Sequence, residues 1–160
     1  MADGVTRIGV TGHRALPDAV PPVVREGMRG LLSGDVEVLT SLAAGADQLC
    51  ADLALAAGAR VTAVIPGTDY EAQFGDTAAV GAYRRLLARC TTRVDLAAES
   101  SPEAAYDAAG RWVADHCDLL VAVWDGRPAR GRGGTAEVVA YARANGLRVA
   151  VLWPPGVLRD

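Results

Sequence analysis

Short runs of Val, Ile, Leu and Ala recur along the chain, each closed by a turn and followed by a longer segment of helical spacing. That alternation constrains the fold more than any other feature. Parallel strands can be joined only by a crossover long enough to hold a helix, so strand-helix alternation predicts βαβ units. Six strand runs are legible, at 7–11, 36–40, 60–65, 94–97, 119–124 and 148–153. The fifth, Leu119-Leu120-Val121-Ala122-Val123-Trp124, is apolar throughout, as a strand covered on both faces must be. The fourth, around Val94, is weak and is expected at an outer edge or not at all.

Between these runs the spacing predicts helices over 21–32, 45–57, 77–89 and 134–145, with Gly34, Gly58 and Gly146 as stops. Another helix opens at Ser101-Pro102-Glu103, where a hydroxyl cap, a proline at the first position and an acid in the first turn coincide. Pro66-Gly67 and Pro154-Pro155 end two of the strands. The fold class that follows is α/β, a Rossmann-like, doubly wound, mainly parallel sheet of five to six strands with helices on both faces. The first three strands are expected in the order 3-2-1, with the fifth beside the first. Length agrees: 160 residues fit one domain, read as spanning 1–160.

Composition narrows the function classes. The chain is 51% hydrophobic but only 5% aromatic, so Ala, Val and Leu build the core, and Trp112, Trp124 and Trp153 read most simply as part of it. A net charge of -3 argues against binding a polynucleotide through a broad cationic face. Cys50, Cys90 and Cys117 stand far apart and, with His13 and His116, offer no zinc spacing, so no metal and no cofactor are expected. His116 reads as a capping or core residue. Asp95, Glu99 and Glu103 read as solvated charges. Reduced cysteines, an N-terminus without signal-peptide character and the lack of a long apolar run predict a cytoplasmic protein away from membranes.

In an open parallel sheet, ligands bind beyond the carboxyl ends of the strands where the strand order reverses. Three loops on that edge have unusual composition. Thr11-Gly12-His13-Arg14 follows the first strand, with Gly12 allowing a close turn and His13 and Arg14 supplying donors. Ser41-Leu42-Ala43-Ala44-Gly45-Ala46-Asp47 follows the second. Its small residues let a ligand approach the backbone, and Asp47 serves either as a first-turn acid or to orient a ribose hydroxyl. The third loop begins at Asp125 and carries Arg127, Arg130 and Arg132 before Gly133-Gly134-Thr135-Ala136-Glu137. Two glycines and a threonine at a helix start form a nest of donors suited to a phosphate. Glu137 is either a helix-start acid or a carboxylate able to act on a bound sugar.

Together, Thr11-Gly12-His13-Arg14, Ser41-Leu42-Ala43-Ala44-Gly45-Ala46-Asp47 and Gly133-Gly134-Thr135-Ala136-Glu137 resemble the SLOG superfamily. That group includes the Lonely Guy phosphoribohydrolases, the Rossmann domain of DNA-processing protein A and small sensor modules. The resemblance runs from about Arg7 to Trp153 and implies a Rossmann-like domain that recognises nucleotides or nucleotide-derived ligands. Lonely Guy enzymes place their glutamate three positions after the threonine; here Glu137 lies two after Thr135. The stretch from Gly134 to Ala142 is also similar to the helix start of nucleoside deoxyribosyltransferases, whose matching glutamate is the nucleophile.

The leading expectation is a binding or sensor module for a nucleotide or ADP-ribose-like ligand. Its ligand-binding residues are Gly12, His13, Arg14, Gly45, Asp47, Asp125, Arg132, Gly133, Gly134 and Thr135. The alternative is an enzyme that hydrolyses or transfers an N-glycosidic bond through Glu137 as catalytic residue. A third, weaker reading is single-stranded DNA binding. A homo-oligomer stays open.

Overall fold

The structure is a computed structural model that describes residues 4–128 and 134–159. Six strands form one sheet: β1 (Thr6–Gly12), β2 (Val36–Thr40), β3 (Arg60–Ile65), β4 (Thr92–Asp95), β5 (Leu119–Val123) and β6 (Arg148–Val151). Among the described residues five helices connect them: α1 (Val20–Leu31), α2 (Ala46–Ala56), α3 (Thr77–Leu87), α4 (Pro102–His116) and α5 (Thr135–Ala144). A single 3-10 turn at Glu71–Gln73 lies between β3 and α3 and has no counterpart in the sequence reading.

The strand order is β4-β3-β2-β1-β5-β6, with every neighbouring pair parallel. The chain winds outward from β1 to β4, and α4 then carries it back to lay β5 against the other side of β1. Ile8 pairs with Val38 on one flank and Leu119 on the other. The sheet thus reverses its winding between β1 and β5, the switch point expected of a doubly wound sheet. The weak fourth strand does form, at the outer edge beside β3, where Val94 is only half-buried and its neighbours are exposed.

Side-chain alternation along the strands divides the core into two layers. Ile8, Val10, Val38, Val61 and Val121 face α1 and α2, meeting Val24, Met28, Cys50 and Ala54. Leu39, Val64 and Leu120 face the opposite way, against Val113 of α4 and Val138 and Ala142 of α5. At the β3 end Ala63 and Ile65 meet Tyr83 and Leu86 of α3 together with Leu42 and Tyr70. Helices therefore cover both faces, and β5 is buried at every position.

Trp112 and Trp153 pack against the core as expected, at its margins, and Trp124 lies at the end of β5. All are half-buried rather than enclosed, because each ring edge or indole N–H finds work near the surface. Trp124 Nε1 donates to the Arg127 carbonyl at 2.8 Å and Trp153 Nε1 to the Val157 carbonyl at 2.6 Å. Trp112 stacks on His116, whose Nδ1 lies 2.7 Å from the Trp112 carbonyl near the end of α4, so His116 takes the capping role. Burial pushes the thiols of Cys50 and Cys90 up and that of Cys117 to about 11, which keeps all three as inert thiols. Among the described residues, no helix is long and apolar enough to cross a membrane.

The cap predicted at Ser101 is formed: its Oγ accepts from the Ala104 N–H at 3.1 Å, with Pro102 opening the helix. Ser101→Ala is expected to lower stability by about 1 kcal/mol. Urea denaturation checks this, and an unchanged midpoint would show that α4 is held by packing alone.

Candidate functional site

A cavity of about 500 Å³ opens at the carboxyl ends of β1, β2 and β3, at the switch point. Its floor is the end of β1, from Val10 to Gly12, and its walls come from every element that converges there. His13, Arg14 and Ala15 line it from the β1–α1 loop, and Ser41, Ala43 and Asp47 from the β2–α2 loop and α2. Pro66 and Tyr70 follow β3, Tyr106 and Gly110 belong to α4, and Gly134 and Thr135 open α5. Arg159 reaches it from the segment after β6.

Two glycines hold this corner together by close approach. A Cβ on Gly12 would lie 2.4 Å from the Ala46 Cβ and 2.9 Å from that of Val123, so β1, β5 and α2 meet where only hydrogen fits. Gly45 has φ +80°, and a Cβ there would stand 2.4 Å from the Arg14 carbonyl oxygen and 2.5 Å from that of His13. The first two loops are thereby stitched together, and the Ala46 N–H donates to the His13 carbonyl at 3.1 Å. Leu42 beside them has φ +59°, held by an N–H bond to Thr40 Oγ1 and by Gln48 Nε2 donating to its carbonyl. A left-handed leucine costs energy, and strain of this kind gathers at sites where loop shape matters.

Asp47 lies in the first turn of α2 and is 7% exposed, its carboxyl at the cavity wall. Burial raises its pKa from 3.8 to about 6. The Ala43 N–H, the Thr40 hydroxyl, the Arg14 charge and the Ser41 N–H each pull it back toward the ordinary range. Arg14 is exposed and lies over the Tyr106 ring at 4.6 Å. Tyr70 stands edge-on to Tyr83 and Phe74, and burial holds its phenol well above the usual range, so it stays a neutral hydroxyl.

On the β5 side His13 is buried between three groups. Its Nε2 lies 3.3 Å from Asp125 Oδ1, its Nδ1 lies 2.9 Å from Arg159 Nη1, and Trp153 meets its ring edge-on. The Asp125 side chain is fully enclosed. Burial alone would raise its pKa, yet the Arg127 N–H, His13 and the Arg159 charge together lower it, so it is ionised. Among the described residues its Oδ2 accepts no hydrogen bond and faces Arg159 Nε at 3.6 Å.

The structure brings Gly12, His13, Arg14, Asp47, Gly134 and Thr135 to one cavity. Gly45 packs against the His13 and Arg14 carbonyls behind its wall, and Asp125 meets His13 there. Arg130, Arg132 and Gly133 lie outside the described residues. Glu137 is exposed and is not among the lining residues. The residues of that helix that reach the cavity are Thr135 and Val138, three apart and so on one face. Glu137, two positions after Thr135, is turned by about 200° around the helix axis. Tyr70, Tyr106 and Arg159 are functional candidates that the sequence reading did not single out. No metal-binding group of three or more side chains occurs among the described residues.

Fold and site together define a Rossmann-like domain with a ligand-sized cavity at its switch point. No family model matches the chain, and no curated protein matches it either. Solved structures do. DNA processing protein A from Streptococcus pneumoniae superposes with a TM-score of 0.70 at 22% identity, over 98% of this chain and 52% of that one. The same protein from Helicobacter pylori, whose structure concerns a single-stranded DNA binding mode, gives 0.70 at 14% identity over 93% and 66%. The molybdenum cofactor carrier protein of Chlamydomonas reinhardtii gives 0.61 at 19% identity over 94% and 78%. The fold is the Rossmann-like α/β fold that these structures share. The chain spans about half the length of the first of them and two thirds of the second. A net charge of -3 does not set this chain apart from nucleic-acid binders, since the Helicobacter pylori protein of this fold has a single-stranded DNA binding mode.

Proposed function

We propose that the chain is a ligand-binding module whose switch-point cavity holds a small molecule of nucleotide type, a mononucleotide or an ADP-ribose-like compound. The observation that carries this reading is the pairing of opposite chemistries in one cavity of about 500 Å³. One wall offers cationic and helix-start donors, from Arg159 and Thr135. The other offers acceptors for hydroxyls, from Asp47 and Ser41. A phosphorylated sugar presents both needs in one molecule, and the volume suits a ligand of that size. A sensing or carrying role fits better than N-glycosidic chemistry, because the residue assigned to that chemistry, Glu137, is exposed and is not among the residues that line the cavity.

The test is a thermal-shift series with adenosine, AMP, ADP-ribose and a short oligothymidylate, followed by chromatography of each stabilising compound. AMP or ADP-ribose at about a hundredfold over its Kd is expected to raise the midpoint by roughly 5–10 °C and to be recovered intact. Stabilisation by the oligonucleotide alone would move the protein to the DNA-binding class. Release of free base would restore the enzymatic reading with a group other than Glu137.

A further inference from the structure

We propose that Arg159 is the anion-recognising residue of this cavity, held in place by His13 and Asp125, and that it fixes the direction in which the ligand lies. This rests on the nucleotide-type reading of the cavity and adds to it a named contact and an orientation. The phosphate lies toward β5, against Arg159 and the start of α5, and the sugar lies toward Asp47.

The geometry of the guanidinium carries the argument. Arg159 lines the cavity, and its side chain is only 15% exposed. Among the described residues it makes two hydrogen bonds, from Nη1 to His13 Nδ1 at 2.9 Å and from Nη2 to the Pro128 carbonyl at 3.2 Å. A guanidinium carries five N–H donors in a planar fork. Two neutral acceptors therefore position it through two of its five donors, and three N–H groups remain. Its nearby carboxylate, Asp125, does not close on it: the Nε to Oδ2 separation of 3.6 Å is an ionic contact beyond hydrogen-bond length. Instead Asp125 Oδ1 takes the Arg127 N–H at 3.0 Å and faces His13 Nε2. The result is a cation anchored from behind with donors left for an oxyanion, the geometry in which arginine binds phosphate.

The same contacts decide the state of His13. Arginine only donates, so Nδ1 must present its lone pair, and the ring proton sits on Nε2. The Asp125 backbone N–H is also directed at that atom, at 3.2 Å, a bond that needs the other tautomer and so gives way when Nδ1 accepts from Arg159. The Asp125 carboxylate then accepts the hydrogen bond from Nε2–H, and Asp125, His13 and Arg159 form one chain of donors and acceptors ending in the cavity. Arg14, the other cation of the wall, is exposed, stacked on Tyr106 and close enough to Asp47 to lower its pKa. It belongs to the sugar side.

The test compares AMP, adenosine and inorganic pyrophosphate on the wild type, Arg159→Ala and Arg159→Lys by titration calorimetry. Arg159→Ala is expected to weaken AMP at least about tenfold, and adenosine less than about threefold. Arg159→Lys, which keeps the charge and loses the fork, should weaken AMP several-fold with a melting midpoint near that of the wild type. Equal AMP affinity in the wild type and both variants overturns the role of Arg159 and leaves the nucleotide reading standing. Pyrophosphate binding that needs Arg159, with no gain from the nucleoside, keeps the anion site and removes the nucleotide reading. Absence of binding by any of the three to the wild type overturns both. Should the variants not fold, the Arg159 guanidinium N–H resonances of the wild type decide: they shift on adding AMP but not adenosine, or the proposal fails.

Discussion

Gly45→Ala is expected to lower folding stability by about 3 kcal/mol or more and to abolish ligand binding at any temperature where the variant still folds. Two costs combine. The backbone at Gly45 has φ +80° and ψ -119°, a region that an L side chain rarely enters. The added Cβ would also stand 2.4 Å from the Arg14 carbonyl oxygen, 2.5 Å from that of His13 and 2.6 Å from the Arg14 carbonyl carbon. These are backbone atoms that cannot swing aside. Relief requires the β1–α1 and β2–α2 loops to separate, which breaks the Ala46 to His13 bond and moves His13, Arg14 and Asp47 apart. Chemical denaturation gives the stability change, and calorimetry with AMP the loss of binding. A comparison with Gly58→Ala separates the two costs. Gly58 has φ +81° but open space around its Cβ direction, so only the conformational cost of about 1 kcal/mol applies there. Equal effects at the two positions would show that the loop contact contributes nothing.

The contrast between those glycines also shows which parts of the molecule could be read from sequence. A glycine after a helical run and a glycine inside a ligand loop look alike as letters. Gly45 became legible only through its company, the small residues from Ser41 to Asp47 placed between a strand and a helix. The same holds for the architecture: apolar runs of strand length, separated by helical spacing and turn residues, leave few ways to build a sheet other than β3-β2-β1-β5. Strand ends were harder to place, because Gly12 and Trp124 extend or leave the ladder according to tertiary contacts. The tryptophans sit at the margin of the core rather than inside it, and for Trp124 and Trp153 the reason is an indole N–H whose acceptor lies in a surface turn.

Residues recruited from outside the three loops carried no local signal. Tyr106 sits on α4 three residues after an exposed acid, and its place at the cavity follows from how α4 crosses the β1 end. Tyr70 belongs to an irregular segment with a 3-10 turn. Arg159 follows Pro154-Pro155, which reads as a stop, yet the segment beyond turns back over Trp153 to reach His13. Glu137 is the converse case. Its motif resembles that of enzymes with a glutamate at the helix start, but a helix converts a one-residue offset into about 100° of rotation. Thr135 and Val138 of this helix line the cavity, and Glu137 is not among the lining residues. The fold neighbours illustrate the same principle, since a DNA-processing protein and a cofactor carrier share this fold. Side chains at the switch point, more than the sheet beneath them, determine what is bound.

Asp47 leads to the second large effect, on pH dependence. Its pKa is about 6 in the folded protein against 3.8 for the free side chain, chiefly because burial disfavours the charge. Between those values the folded state holds a proton that the unfolded state has released. Stability must therefore fall as pH rises from about 4 to about 6, and the penalty stays constant above that. A difference of about two units corresponds to roughly 3 kcal/mol. Asp47→Asn is uncharged throughout and should lack this fall. The stability difference between variant and wild type is therefore expected to move by roughly 2 kcal/mol in the variant's favour between pH 4 and pH 7.5. Binding should run the other way. The ionised carboxylate is the better acceptor for sugar hydroxyls, so affinity for AMP should rise with pH through 6 and saturate near neutrality. Near pH 6, binding should also release protons, which calorimetry detects as a dependence on the ionisation enthalpy of the buffer. In Asp47→Asn both the pH dependence of affinity and the proton release attributable to this site should vanish. Parallel stability curves for the two proteins across this range would show that Asp47 does not carry the burial penalty assigned to it. A pH-independent AMP affinity in the wild type would remove it from the sugar side of the cavity.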